Sequence, residues 1–210
     1  MTVSNSPASA QVPTRPVDPD LARRVIWRML LDLAAADPAA VLRSAELVPT
    51  EEVRQLQPAA GAAYALMASV AEAGEDPAAD NLMAAALRDG LLAGQQGEAL
   101  KRVLLALATA HGEALRLPTS RADVAGLILR ARAEQFAYAL GLNAGTLGEA
   151  ELVRAIRGGC AALLGSAAEF ARAQLAAGAT ADDAGAEPAE VAELEAEQLE
   201  LTAGSGEVAA

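Results

Sequence analysis

Alanine supplies 55 of the 210 residues while Phe, Trp and Tyr together supply five, and this imbalance constrains the fold more than any other feature. Alanine is the best helix former and leaves little side chain to keep helices apart, whereas the β-branched and aromatic residues that favour strands are scarce. An all-α class follows: a compact multi-helix head and an antiparallel helical hairpin, with a flexible arm before them and an acidic tail after. The core is expected to be thin, because each buried alanine contributes little area.

Charge divides the chain sharply. Residues 178–210 hold nine of the 28 acidic residues and none of the 16 basic ones, so of the net −12 the preceding body carries only −3. A nearly neutral body with all the arginines leaves weak contact with nucleic acid open, although the whole chain is acidic. The segment from Met1 to Pro16 is rich in Ser, Thr and Pro and has no basic start followed by an apolar stretch, so no secretory signal is read there. The longest uncharged run, Gln55 to Ala71, is shorter than a normal membrane span. A cytoplasmic protein that does not engage membranes is expected.

Four units are read along the chain. Residues 1–17 form a disordered arm interrupted by Pro7, Pro13 and Pro16. The head, 18–116, holds five or six short helices. The first starts at Asp18-Pro19 or Asp20, with Leu21, Val25, Met29 and Leu33 along one face and Ile26, Trp27 and Leu30 widening it. Asp37-Pro38 opens the second, Thr50 is placed to cap the third, and a fourth runs Gly61 to Ala73 before Gly74. Asp76-Pro77 opens a fifth that Gly90 closes, and Glu98 to Ala110 gives another.

The hairpin, 117–177, begins at a capping box of Ser120 and Asp123. Val124, Ile128, Ala131, Gln135 and Tyr138 make one stripe, and Val153, Ile156, Cys160, Leu163, Ala167 and Phe170 answer it across a link from Gly141 to Gly148. Gly158-Gly159 is expected to weaken the second helix by about 1 kcal/mol per glycine and to kink it. Residues 178–210 are read as a flexible acidic tail with one candidate helix, Glu190 to Leu201.

Sites for chemistry are not found. The sole lysine, Lys101, precedes Arg102, so there is no Lys-Ser or Lys-Thr phosphate loop, and Gly141, Gly145 and Gly148 do not match a dinucleotide fingerprint. The single histidine, His111, is read as a helix-end residue beside Gly112, and the single cysteine, Cys160, as a small apolar side chain. Adjacent carboxylates such as Glu51-Glu52 and Asp182-Asp183 point apart and are read as solvated. No catalytic residue, cofactor or metal is therefore expected. The candidate interaction residues are Val124, Ile128, Ala131, Tyr138, Val153, Ile156, Leu163 and Phe170, and the candidate phosphate contacts are Arg121, Arg130 and Arg132.

Three stretches, in order, carry a family likeness: LARRVIWRMLLD from Leu21 to Asp32, EDPAADNLMAAALRDGLL from Glu75 to Leu92, and LPTSRADVAGLILRARAE from Leu117 to Glu134. Over residues 18 to about 175 this order resembles the N-terminal domain of bacterial replicative DNA helicases of the DnaB type. The motor and its phosphate loop are missing. The resemblance therefore implies no helicase or ATPase activity but the domain's assembly role: self-association into homo-oligomers through the hairpin, and contact with helicase, primase or loader. A DNA-binding regulator using the basic hairpin face is the alternative.

Overall fold

The structure, a computed structural model, describes residues 17–110 and 117–177. These contain eight helices and no strand: α1 Pro19–Ala34, α2 Pro38–Leu47, α3 Thr50–Leu56, α4 Pro58–Glu72, α5 Ala79–Arg88, α6 Gly94–Thr109, α7 Leu117–Asn143 and α8 Glu149–Ala176. The all-α class is the one expected. The arm over 1–16, His111 with Gly112, and the acidic tail lie outside the described residues. Val17, assigned above to the arm, is tied down: its N–H donates to Glu134 Oε2 of α7 at 3.0 Å.

Local chemistry explains most of the boundaries. Asp18 accepts from Asp20 N at 3.0 Å, Asp37 accepts from Ala40 N at 2.7 Å, and each is followed by proline at the first helical position. At the other ends, Gly74 (φ 77°) and Gly90 (φ 67°) occupy the left-handed region, and the N–H groups of Glu75 and Leu91 reach back to the carbonyls of Val70 and Ala86. These are the six-to-one bonds of a glycine-ended helix, which satisfy carbonyls the helix leaves open.

Several expected starts are displaced. Thr50 lies inside α3 with Pro49 in the cap position, and α4 begins at Pro58, three residues before Gly61, because proline's fixed φ suits a first helical residue. Asp76 does not cap α5; its carbonyl instead accepts from Asn81 Nδ2 at 3.0 Å, and Ala78 takes the cap position. Helix α6 starts at Gly94 rather than Glu98. Ser120 is not a cap either, since it sits within α7 and its hydroxyl donates to the Leu117 carbonyl at 3.2 Å.

The core is one continuous cluster around α4, against which α1, α2, α3, α5 and α6 all pack. Tyr64 and Met67 of α4 are fully buried, with Ile26, Met29, Leu30 and Leu33 from α1 and Leu82 and Leu104 from α5 and α6. The buried stripe of α1 runs Ala22, Ile26, Met29, Leu33, one position on from the Leu21, Val25 start read in the sequence. Val124, Ala125 and Ile128 of α7 and Ala173 of α8 belong to the same cluster. The base of the hairpin is thus part of the head's core, and packing does not break at residues 116 and 117.

Tyr64 gives this core a measurable pH response. Burial is the main cause that raises its phenol well above the usual value, with the Arg121 charge acting in the opposite direction. The folded chain keeps a proton that the unfolded chain releases above about pH 10, so stability is intact below that value and falls as pH rises through it. A loss of about 1 kcal/mol between pH 10 and 11, steepening above that toward about 1.4 kcal/mol per pH unit, is expected in denaturant titrations. Tyr64→Phe should flatten that slope, and an unchanged slope in the variant would assign it elsewhere.

Candidate interaction surface on the helical hairpin

Helices α7 and α8, of 27 and 28 residues, are each about 40 Å long at 1.5 Å per residue and run antiparallel through a link of residues 144–148. The link is short because Asn143 still accepts from the N–H groups of Thr146 and Leu147, and Glu151 Oε2 accepts from Gly148 N at 3.4 Å to start α8.

Two aromatic-on-glycine contacts set the register. The Phe170 ring lies over Gly126, where a Cβ would meet it at 3.2 Å, and the Phe136 ring occupies the place a Cβ on Gly159 would take. Both phenylalanines of the chain therefore fill notches made by glycine on the opposite helix. Helix α8 is continuous from Glu149 to Ala176 across Gly158-Gly159. The packing of Phe136 offsets the propensity cost of Gly159, a reason no single-helix reading contains.

A polar clasp holds the middle of the hairpin to the head. Arg132 of α7 pairs with Glu52 of α3 at 2.7 Å and with Glu169 of α8 at 3.6 Å, and it also donates to Ser166 Oγ. The hydrogen bond with Glu52 is the main cause that raises its pKa further. Arg132 is 27% exposed, so solvent weakens but does not cancel these interactions. Arg132→Ala should cost about 1–2 kcal/mol, because two carboxylates are left facing each other. Chemical denaturation would detect this loss, and an effect below a few tenths of a kcal/mol would show that the clasp is ornamental.

The sequence-derived site residues separate into three groups. Val124 and Ile128 are buried in the head's core and are not available to another chain. Ala131, Leu163 and Phe170 are half-buried along the two helices. Tyr138, Val153 and Ile156 are exposed, at 67%, 48% and 37%. Leu142, absent from the stripe, joins them at 60% exposure. The register set by Phe136 and Gly159 brings Leu142 level with Val153, and Tyr138 level with Ile156. The outer end of the hairpin thus carries four large apolar side chains in water.

The arginines are placed less uniformly than expected. Arg130 is exposed and Arg132 is engaged in the clasp. Arg121 is a correction: it is 7% exposed, its guanidinium reaches Ser44 Oγ of α2 at 3.5 Å, and it does not present a phosphate contact on the surface. Burial there lowers its pKa, as desolvation does to any cation. Cys160 is half-buried on α8 and unpaired.

Among the described residues, no three His, Cys, Asp or Glu side chains gather as metal ligands, and no helix is long and apolar enough to cross a membrane. A groove of about 470 Å³ between α4 and α6 has an alanine-rich floor, with Arg54 and Asp89 as its ionisable lining residues. Comparison with family models, curated proteins and solved structures finds no match to this chain.

Proposed function

We propose that this chain is a non-catalytic assembly module of the replicative-helicase N-terminal type, working in the cytoplasm by self-association or by binding helicase, primase or loader. The observation that supports it is the cluster of Tyr138, Leu142, Val153 and Ile156 at the outer end of a hairpin whose base is locked into the head. Four large apolar side chains grouped on one projecting element form the sort of patch that a monomer has reason to cover. Full burial of such a side chain is worth about 1.5–3 kcal/mol, enough in combination to drive association.

Rigidity matters as much as apolarity. The clasp of Arg132 and the seated rings of Phe136 and Phe170 present the outer end in one geometry, which lowers the ordering cost of binding. The DNA-binding alternative retains Arg130 as the exposed one of its three arginines, and no observation favours it. Light scattering across a wide concentration range, with pull-downs against helicase, primase and loader, tests the proposal. Assembly or capture is the expected result; a chain that stays monomeric and retains none of the three overturns it.

A further inference from the structure

The groove between α4 and α6 is a preformed hollow for large side chains. Buried Leu66 and Leu100 line it together with Ala59, Ala62, Ala65 and Ala99, whose side chains are too short to fill it. Leu91, 45% exposed, stands on one wall. That wall is fixed by its backbone. Gly90 turns the chain at φ 67°, the Leu91 N–H donates to the Ala86 carbonyl at 2.9 Å, and the Leu92 backbone occupies the place a Cβ on Gly97 would take. At about 470 Å³ the hollow is within the range of about 300–1,000 Å³ for pockets that hold a ligand. Along α4 it runs from Ala59 to Ser69, about 15 Å, long enough to receive two turns of an incoming helix.

The complementary shape is at the outer end of the hairpin, where Tyr138 and Leu142 stand one turn apart on α7 and Val153 and Ile156 one turn apart on α8. Charge matches as well. Residues 138–157 hold Glu149, Glu151, Arg154 and Arg157 and so carry no net charge, and the groove is lined by Arg54 and Asp89, again one of each sign. Two copies of a chain of net charge −12 repel one another over most approaches. Bringing these two neutral surfaces together avoids that repulsion and leaves both signs available for pairing at the rim. The outer end does not lie on the groove of its own copy. Helix α7 packs on α1, α2 and α3, and Tyr138 and Leu142 follow Arg132 on one unbroken helix, about 9 and 15 Å further out.

We propose that the groove between α4 and α6 of one copy receives the outer end of the hairpin of a second copy, with the large apolar side chains of that end seated among the alanines. The inference rests on the reading of the outer end as a self-association surface and names what it meets. Knob and hollow are on different parts of each chain, so the contact is heterologous: every copy that fills one groove offers its own to the next. Such a contact passes beyond a dimer, into a closed ring or an open chain. An outer end that met another outer end would instead stop at two copies and leave the groove idle.

Mixing two variants of the full chain tests the inference by sedimentation velocity. Tyr138→Glu with Ile156→Glu disables the knob, and Ala62→Gln with Ala65→Gln fills the hollow. Ser69→Arg, at an exposed position of the groove where a substitution scarcely changes folding, is a second way to block it. Each variant alone should associate at least about tenfold more weakly than the parent. An equimolar mixture of a knob variant with either groove variant should form pairs about as tightly as the parent associates, because one chain keeps the groove and the other keeps the knob. Those pairs should not grow further, whereas the parent exceeds two copies. Groove variants that associate like the parent, or mixtures that stay as weak as their components, overturn the groove as the partner surface while leaving self-association through the outer end intact. A parent that stays monomeric overturns the inference together with self-association, whatever a pull-down against helicase, primase or loader recovers.

Discussion

Replacing Tyr138 and Ile156 together by glutamate is expected to weaken self-association by at least about a hundredfold, the equivalent of about 2.7 kcal/mol. The melting temperature should stay within a degree or two of the parent. The two expectations separate because both side chains are exposed in the isolated chain, at 67% and 37%. Surface substitutions of this kind usually change folding stability by under about 0.5 kcal/mol each. In an interface the same positions lose apolar burial and gain carboxylates that must be stripped of water, a cost of several kcal/mol when unpaired. Leu87 and Leu105 provide the control, being exposed leucines on the head at 65% and 49%. Their glutamate variants should associate like the parent. Sedimentation equilibrium reads the outcome: equal weakening by the head variants would reveal general stickiness, and parental association by the hairpin variant would remove the proposed surface.

How far such a surface could be read in the sequence depends on which interactions are local. The starts at Asp18-Pro19 and Asp37-Pro38, and the stops at Gly74 and Gly90, were legible because cap and helix are neighbours in the chain. Thr50, Asp76 and Ser120 misled for a related reason. Each is a capable cap, but backbone dihedrals decide which residue stands at the boundary, and Pro49 and Ala78 took that place at the first two. Apolar periodicity placed Val124 and Ile128 on a stripe offered to a partner chain, but it carries no information on what covers them, which is the head. The burial of Arg121 left no local trace at all, since arginine is ordinarily a surface residue. Phe136 over Gly159 was equally hidden, because the two residues lie on different helices and meet only once α8 is folded back along α7.

Gly61 shows how a residue far from the hairpin can govern it, and Gly61→Ala is expected to damage the head severely for a single added methyl. Helices α3 and α4 meet at Gln57 alone, so the two cross at close range, and a Cβ on Gly61 would fall on the Arg54 backbone, at its Cα and N. A flexible side chain could swing away from such a collision, but helix backbone cannot, and α3 must move as a body. Alanine would bring about 1 kcal/mol of helix propensity, which overpacking of about 1–3 kcal/mol, and more where backbone shifts, outweighs. Helix α3 also carries fully buried Val53 and the carboxylate of Glu52 that holds Arg132. Displacing it loosens core and clasp together, for a combined loss of about 3 kcal/mol, or a fall of about 6–12 °C in melting temperature. Gly61→Ser should behave alike, since it introduces the same Cβ, whereas Gly158→Ala, with nothing within 4 Å of its added methyl, should stabilise by about 0.5–1 kcal/mol. Parallel melts of the three variants distinguish a close-approach glycine from an ordinary helical one. Because the clasp orients the hairpin, Gly61→Ala should also weaken association at temperatures where the chain remains folded, and parental association there would show that the outer end finds its partner without help from α3.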